Sequence, residues 1–382
     1  MHGVVEEIVA FSPPKTAKEN VTLTRISGRG QGSKWPITFG PVVTDLSGDG
    51  RRQVIVADAS PAGFAQLSVK NLDGTVVWQH EFERIAGTPP PQNTGGVIFW
   101  QTGHFRDPVR LDVLVTTQHS RGSSEESYLL SGVDGKLIWH RDKQISTRGV
   151  GGNAFAVTDY DGDGLDDVCS LWPSIFYILK GSTGQDIVAV DAQWKEVYEN
   201  SVYLGQAVAG NFMNDGKPTI FFSGRLLTAL IRLDGTLAWF DAPDKSPGYL
   251  PSFGDFDGNG RYQMLAVGYE DGTRCYDMAT GEVKWRMPNP AKGFEEFGQS
   301  SVNPIKGSAS ADLDGDGRDE ALISLNNTLY CLGSTRNGQA GEIRWQVDFP
   351  KQIGPPTVVT LDKDGSVSIL VVSKDGYIYC VR

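Results

Sequence analysis

Short runs of apolar residues alternate with glycine-containing turns along the whole chain. Examples are the runs at 154–157, 264–267 and 321–323, which consist of aliphatic and aromatic residues. Long stretches with the apolar spacing of a helix are hard to find, whereas short runs bounded by turn residues are typical of β-strands. The pattern therefore predicts an all-β protein.

The strands are organised in a repeat whose clearest marker is an acidic loop. Seven copies of the loop begin at Asp45, His104, Asp159, Asn211, Asp255, Asp312 and Thr360. Each copy joins a first apolar run to a second, and a third run and a fourth run follow. The fourth run usually carries a tryptophan soon after a glycine, as at Gly135 and Trp139. A period of about fifty residues with four strands per unit is typical of propeller blades.

The last repeat stops after its third strand, at the C-terminus. A blade that lacks its fourth strand leaves an unpaired edge, and an apolar run near the N-terminus, within 3–11 or 21–26, can pair with it. The sequence therefore predicts one domain over residues 1–382, an all-β seven-bladed β-propeller with four-stranded blades and a last blade closed by an N-terminal strand. A β-solenoid and two separate β-sandwiches are the alternatives.

The acidic loops have the residue spacing of a calcium site. Carboxylates at positions 1, 3 and 5 converge, a glycine at position 6 permits a sharp turn, and positions 7 and 9 supply a backbone and a side-chain oxygen. Position 12 holds no glutamate, which excludes an EF-hand. We expect structural Ca²⁺, with a plain Asp-Gly turn as the alternative. The expected ligands are Asp159, Asp161, Asp163, Leu165 and Asp167; Asp255, Asp257, Asn259, Arg261 and Gln263; Asp312, Asp314, Asp316, Arg318 and Glu320; and Asp45 and Asp49.

The strand order also predicts which loops share a face. If the strands of a blade are called A to D outward from the axis, the A–B acidic loops and the C–D turns lie on one face. The longer B–C loops and D–A connections lie on the other, where a ligand is expected. Candidate residues there are His119, Arg121, Trp172 and Arg225 from B–C loops and Arg148, Asn153, Tyr198, Tyr203, Tyr249 and Lys306 from D–A connections. Arginines pair with carboxylates or sulfates and aromatic rings stack on sugars, so these residues suit an acidic glycan.

Composition narrows the partners further. A net charge of −11 argues against nucleic acid. There is no apolar run long enough to span a membrane. We expect no signal peptide in this chain and a monomer that is secreted or periplasmic. The four cysteines lack a CxxC spacing and are expected to be small buried side chains; they are Cys169, Cys275, Cys331 and Cys380.

The acidic loops resemble those of FG-GAP or VCBS-type propeller repeats over nearly the whole chain. A narrower resemblance, in 95–112 and 148–152, is to the ulvan lyases built on seven-bladed propellers. It implies β-elimination next to a uronic acid. Arg225 would then neutralise the uronate carboxylate, Tyr203 would serve as base and acid, and His119 would assist, with His104 as a second histidine candidate. Tyrosine can act in this way only if neighbouring cations lower its pKa.

Three other functions compete with an ulvan-type lyase. A rhamnogalacturonan lyase would differ in specificity alone. A non-catalytic glycan- or protein-binding propeller would bind without releasing product. A quinoprotein dehydrogenase is suggested by the glycine-to-tryptophan turns, but such enzymes use eight blades and usually a vicinal cysteine pair, and neither is expected here.

Overall fold

A computed structural model of the chain describes strands and turns and, in these residues, no helix. The described residues are 7–12, 22–25, 42–59, 65–82, 97–118, 126–141, 155–172, 175–191, 204–224, 228–241, 251–267, 272–290, 305–335, 338–360, 367–375 and 377–381. Within these ranges, no helix is long and apolar enough to cross a membrane.

The chain divides into two compact units, one of which comprises residues 43–211 and 215–243. It holds four sheets of four strands, each in the order A-B-C-D. Blade 1 contains β3 (Val42–Thr44), β4 (Gln53–Ala59), β5 (Ala65–Asn71) and β6 (Val76–Glu81). Blade 2 contains β7 (Val97–Gly103), β8 (Asp112–Gln118), β9 (Glu126–Leu130) and β10 (Leu137–Arg141). Blade 3 contains β11 (Phe155–Thr158), β12 (Asp167–Trp172), β13 (Ile175–Leu179) and β14 (Asp186–Asp191). Blade 4 contains β15 (Leu204–Gly210), β16 (Thr219–Gly224), β17 (Thr228–Arg232) and β18 (Leu237–Asp241).

The other unit comprises residues 1–42, 212–214 and 244–382. Blade 5 contains β19 (Ser252–Gly254), β20 (Gln263–Val267), β21 (Thr273–Asp277) and β22 (Val283–Met287). Blade 6 contains β23 (Ile305–Ala311), β24 (Glu320–Leu325), β25 (Thr328–Ser334) and β26 (Gly341–Asp348). Blade 7 contains β27 (Ile353–Thr360), β28 (Val367–Ser373) and β29 (Tyr377–Val381), together with β1 (Glu7–Ser12) and β2 (Thr22–Arg25).

The predicted fold, an all-β seven-bladed propeller, is confirmed, and N-terminal strands complete blade 7. Strand β1 pairs with β29, with Glu7 opposite Tyr377, and β2 then pairs with β1. The pairing differs from the expectation in two respects: two strands are added instead of one, and β1 runs parallel to β29. In blades 1 to 6 a tight C–D turn forces the outer strand to be antiparallel, whereas no such turn joins β29 to β1. That residues 1–382 form one domain stays a prediction.

The cores lie between neighbouring sheets. One cluster joins Cys169 and Ile178 of blade 3 to Ile220 and Phe222 of blade 4, and similar clusters join blade 5 to blade 6 and blade 6 to blade 7. Strands B and C are covered on both faces, so they read as continuous apolar runs. The four cysteines are buried, as predicted. Burial raises the pKa of the Cys169 and Cys275 thiols to about 12.

The tryptophans of the outer strands fasten one sheet to the next. Trp78 of blade 1 donates its indole N–H to the Gly132 carbonyl of blade 2 over 2.8 Å, and Trp139 of blade 2 donates to Gly181 of blade 3 over 2.8 Å. The ring of Trp78 lies over Gly135, where a Cβ atom would be 2.6 Å from Cε3. Gly135 has a φ of +68°. Gly135 and Gly184, in the C–D turns of blades 2 and 3, therefore leave space for the tryptophan of the preceding blade.

Candidate functional site

The first residue of the acidic loop shapes the turn in blades 3 and 6. Asp159 accepts N–H groups from Gly162 over 2.8 Å and Gly164 over 2.9 Å. Gly162 and Gly164 have φ values of +77° and +86°, a left-handed conformation that glycine adopts without strain. Asp312 accepts in the same way from the glycines at positions 4 and 6 of its loop, over 2.7 and 3.0 Å. Much of the loop's shape is therefore held by the protein's own hydrogen bonds.

The side chain at position 9 accepts the N–H of position 2 in four blades. The pairs are Leu46 N to Gln53 Oε1 at 3.1 Å, Tyr160 N to Asp167 Oδ2 at 3.3 Å, Phe256 N to Gln263 Oε1 at 2.7 Å, and Leu313 N to Glu320 Oε2 at 3.0 Å. A carboxylate in this place keeps a second oxygen for a cation, whereas a glutamine keeps only its NH₂ group, which is a donor. The residue at position 9 therefore keeps an oxygen for a cation in blades 3 and 6, but not in blades 1 and 5.

The side chains of the blade 5 loop are not arranged to bind a metal ion. Gln263 donates from Nε2 to Asp257 Oδ1 over 3.1 Å and to the Arg261 carbonyl over 2.7 Å, two of the oxygens that were expected to be ligands. Asn259 also donates to Asp257, over 3.1 Å, and the Lys284 ammonium contacts the same carboxylate. Asp255 accepts loop N–H groups. The predicted ligands are close together, but Gln263 faces them with hydrogen atoms.

The loops of blades 1 and 2 contain their own ion pairs. Asp49 pairs with Arg51, whose guanidinium holds the Asp49 pKa down at about 2, and Asp45 accepts the N–H groups of the turn. In blade 2, Arg106 makes a two-pronged pair with the buried Asp112, with both N–O distances 2.8 Å. A guanidinium thus pairs with the position 9 carboxylate of the blade 2 loop, which contributes none of the expected calcium ligands.

His104, at position 1 of the blade 2 loop, faces backbone groups. Its Nδ1 lies 3.2 Å from the Asp107 carbonyl and 3.2 Å from the Arg110 carbonyl, which suits a ring N–H that holds a turn. It lies at the acidic-loop end of blade 2, away from the B–C loops. Its catalytic assignment stays a prediction.

Two acidic clusters can bring carboxylate oxygens together around one point. In each, one oxygen per residue lies within 4.8 Å of the others, and the clusters are Asp159, Asp161 and Asp167, and Asp312, Asp314 and Asp316. All donors are oxygens, the ligands of hard divalent cations. Beside the second cluster, burial raises the pKa of Glu320 to about 7, and a divalent cation there would favour its ionised form. The blade 6 loop therefore fits such an ion.

Two carboxylates at position 8 have a role that the sequence did not reveal. Asp166 of blade 3 accepts the His104 N–H of blade 2 over 2.7 Å, and Asp319 of blade 6 accepts the Asp255 N–H of blade 5 over 2.7 Å. A second hydrogen bond runs in the opposite direction: the backbone N–H of each position 8 residue donates to the backbone carbonyl of the same partner residue over 3.0 Å. Each aspartate thus links the acidic loops of neighbouring blades.

Most of the residues predicted for glycan binding lie outside the described residues. These are His119, Arg121, Arg148, Asn153, Tyr198, Tyr203, Arg225 and Tyr249. Trp172 ends β12 and Lys306 lies near the start of β23, so both backbone positions are at the strand ends remote from the acidic loops. Their roles stay predictions.

The sequence matches no protein-family model and no curated protein. Solved structures share its fold. The rhamnogalacturonan lyase of Bacillus licheniformis aligns with a TM-score of 0.58 at 13% identity, over 97% of this chain and 75% of the lyase. BBS1N, in its complex with ARL6DN, aligns with a TM-score of 0.58 at 12% identity, over 90% of this chain and 91% of that chain. Sqt1 of Saccharomyces cerevisiae aligns with a TM-score of 0.54 at 10% identity, over 99% and 96%. Identities this low show a common fold alone.

Proposed function

We propose that this chain is a polysaccharide lyase that cleaves an acidic, uronate-containing glycan of the ulvan type by β-elimination. The observation that carries the proposal is compositional: arginine, histidine and tyrosine gather in the B–C and D–A loops of a chain whose net charge is −11. The resemblance to propeller-fold ulvan lyases and the fold shared with a rhamnogalacturonan lyase support it. The protein would meet this substrate as a secreted or periplasmic monomer.

The reaction assigns a task to each of three residues. Arg225 pairs with the uronate carboxylate and stabilises the charge that develops when the C5 proton leaves. Tyr203, as the phenolate, removes that proton, and the electron pair forms the C4–C5 double bond while the C4–O bond breaks. The protonated Tyr203 then donates to the departing oxygen, and His119 assists. The product is an unsaturated uronate and a new chain end.

Calcium belongs to the acidic loop of blade 6 in this proposal. The ligands are the carboxylates of Asp312, Asp314, Asp316 and Glu320 and the carbonyl of Arg318, an all-oxygen set that suits a hard cation. The loop lies at the end of β23 and β24 opposite to the proposed reacting face. Calcium therefore neutralises carboxylates and pins the loop, and takes no part in the elimination.

An ultraviolet assay tests the lyase directly, because the C4–C5 double bond absorbs. Wild type is incubated with a panel of uronate glycans that includes ulvan and rhamnogalacturonan, and absorbance is followed. Tyr203→Phe should lower the rate at least about 100-fold, as expected for loss of a general base and acid. Tyr262→Phe is the matched control, because that tyrosine is exposed beside the acidic loop of blade 5. No absorbance rise on any glycan would end the proposal.

A non-catalytic binding propeller is the second candidate. The observation in its favour is that the fold is shared equally with BBS1N, which was solved in a complex with a protein. Titration calorimetry separates the two functions: a binding propeller would give a saturable heat with a glycan whose chain length, followed by size-exclusion chromatography, does not change.

A further inference from the structure

The acidic loop of blade 3 already contains a cation, the ammonium group of Lys180. Its Nζ lies 2.8 Å from Asp161, 2.6 Å from Asp163 and 3.8 Å from the buried Asp167, the carboxylates at positions 3, 5 and 9. The contacts with Asp161 and Asp163 are short enough to be charge-assisted hydrogen bonds. A calcium ion bound by the same oxygens would lie within a few ångströms of this positive charge and would be repelled by it.

The repeat allows Lys180 to be compared with the residues at the same place in other blades. Its N–H donates to the carbonyl five residues further along and so opens the C–D turn, and the same bond identifies the corresponding residues of other blades. They are Ser131 of blade 2 and Asp277 of blade 5. In blade 6 the third strand runs two residues further, and the residue in the place of Lys180 is Gly333, which follows the partner of Ala321. In blade 4 the residue opposite position 9 is Arg232, so this place holds a cation there too, in a loop that lacks carboxylates at positions 1, 3 and 9. In blade 6, which has the matching carboxylate set, the place is held by a glycine.

Blade 5 has a similar feature on a different strand. Lys284, one residue before Trp285 on β22, contacts the position 3 carboxylate, Asp257. The corresponding residue of blade 6 is Arg344, one before Trp345, which pairs with Glu342 over 2.8 Å and donates to the Ser334 carbonyl over 3.0 Å. Its charge also acts on Glu320, where it opposes the rise in pKa that burial causes. Among the described residues, none forms an ion pair with Asp312, Asp314 or Asp316.

We propose that Lys180 and Lys284 are built-in counter-cations that replace calcium in blades 3 and 5. These two loops keep their shape without a metal ion, although their sequences have the spacing of calcium loops. The blade 6 loop lacks such a lysine and is the loop that binds the divalent ion. The statement about blade 6 rests on the calcium site proposed above, whereas the statement about Lys180 stands on its own distances.

The test counts calcium ions on the full chain by native mass spectrometry and titration calorimetry. Lys180→Met removes the ammonium and keeps an unbranched stem, and we expect it to bind one more calcium ion per chain than wild type. Asp314→Asn should bind one fewer. Lys136→Met is the control, because that lysine forms an exposed pair with Asp134 in a C–D turn and should leave the count unchanged.

The outcomes separate the two proposals. An unchanged count in Lys180→Met would overturn the counter-cation role. An unchanged count in Asp314→Asn, with one ion gained in Lys180→Met, would refute calcium in blade 6 and leave the role of Lys180 standing. Melting temperatures provide a second readout: Lys180→Met in chelator should melt below wild type, and calcium should restore it.

The wild-type protein provides a test that does not depend on the folding of a variant. Lys180 should resist acylation by a lysine-directed reagent, and the protection should be the same in calcium and in chelator, with the exposed Lys136 as the reference. If calcium raised the labelling of Lys180 to that of Lys136, the metal would be displacing the ammonium, and the proposal would be wrong.

Discussion

Replacing Gly135 by alanine should destabilise the protein more than the same change at Gly74. Both glycines lie in C–D turns and have positive φ values, +68° and +87°. An alanine in this conformation costs about 1–2 kcal/mol at either site. At Gly135 the new Cβ would also lie 2.6 Å from Cε3 of Trp78, whereas no described atom lies within 4 Å of a Cβ at Gly74.

Overpacking a closed contact costs about 1–3 kcal/mol, so the free energy of unfolding should fall by about 1–2 kcal/mol in Gly74→Ala and by about 2–5 kcal/mol in Gly135→Ala. Urea unfolding followed by far-ultraviolet circular dichroism measures both. In a Trp78→Leu background, where the ring is gone, the extra cost of Gly135→Ala should disappear. Equal costs in the wild-type background, or an excess that persists without the indole, would refute the docking of Trp78 on Gly135.

Two further predictions concern links between neighbouring blades. Asp319→Ala should lower the free energy of unfolding by about 1–3 kcal/mol, because it leaves the Asp255 N–H without its acceptor; Asp319→Asn keeps a carbonyl oxygen and should lose less, and equal losses would contradict the link. His80 is half-buried and burial lowers its pKa below the ordinary 6.5. The unfolded chain therefore binds more protons, and stability should fall as the pH drops through 6.5. The decrease in the urea midpoint from pH 7 to pH 5 should be larger in wild type than in His80→Gln. Equal decreases would show that His80 is not the cause of the pH dependence.

The repeat made the fold predictable, because each unit has the same pattern of apolar runs and turn residues. The glycines at positions 4 and 6 of the acidic loops adopt positive φ values that few other residues accept without strain. The missing fourth strand of the last repeat also predicted that an N-terminal strand would pair there, and β1 does. Its direction was not predictable, because no covalent turn constrains it.

The candidate metal loops show where sequence spacing stops being informative. The 159, 255 and 312 loops look alike in sequence. In the structure, Gln263 turns an NH₂ group toward the expected ligands and Lys180 inserts an ammonium among them. Both effects come from residues whose orientation is set by hydrogen bonds to a backbone N–H or by a strand beyond the loop, which no spacing rule includes.

The sequence by itself determined the number of blades, the strand order within them and the ends of the strands at which the acidic loops lie, since these follow from local periodicity and turn chemistry. Only the tertiary structure decided which carboxylates remain open to a cation and which blades are joined by Trp78, Asp166 and Asp319. Those outcomes depend on atoms that are distant in the chain and meet only after the sheets have packed. The charge balance of a loop depends on all charged groups within a few ångströms of it. The sequence does not show which groups lie that close.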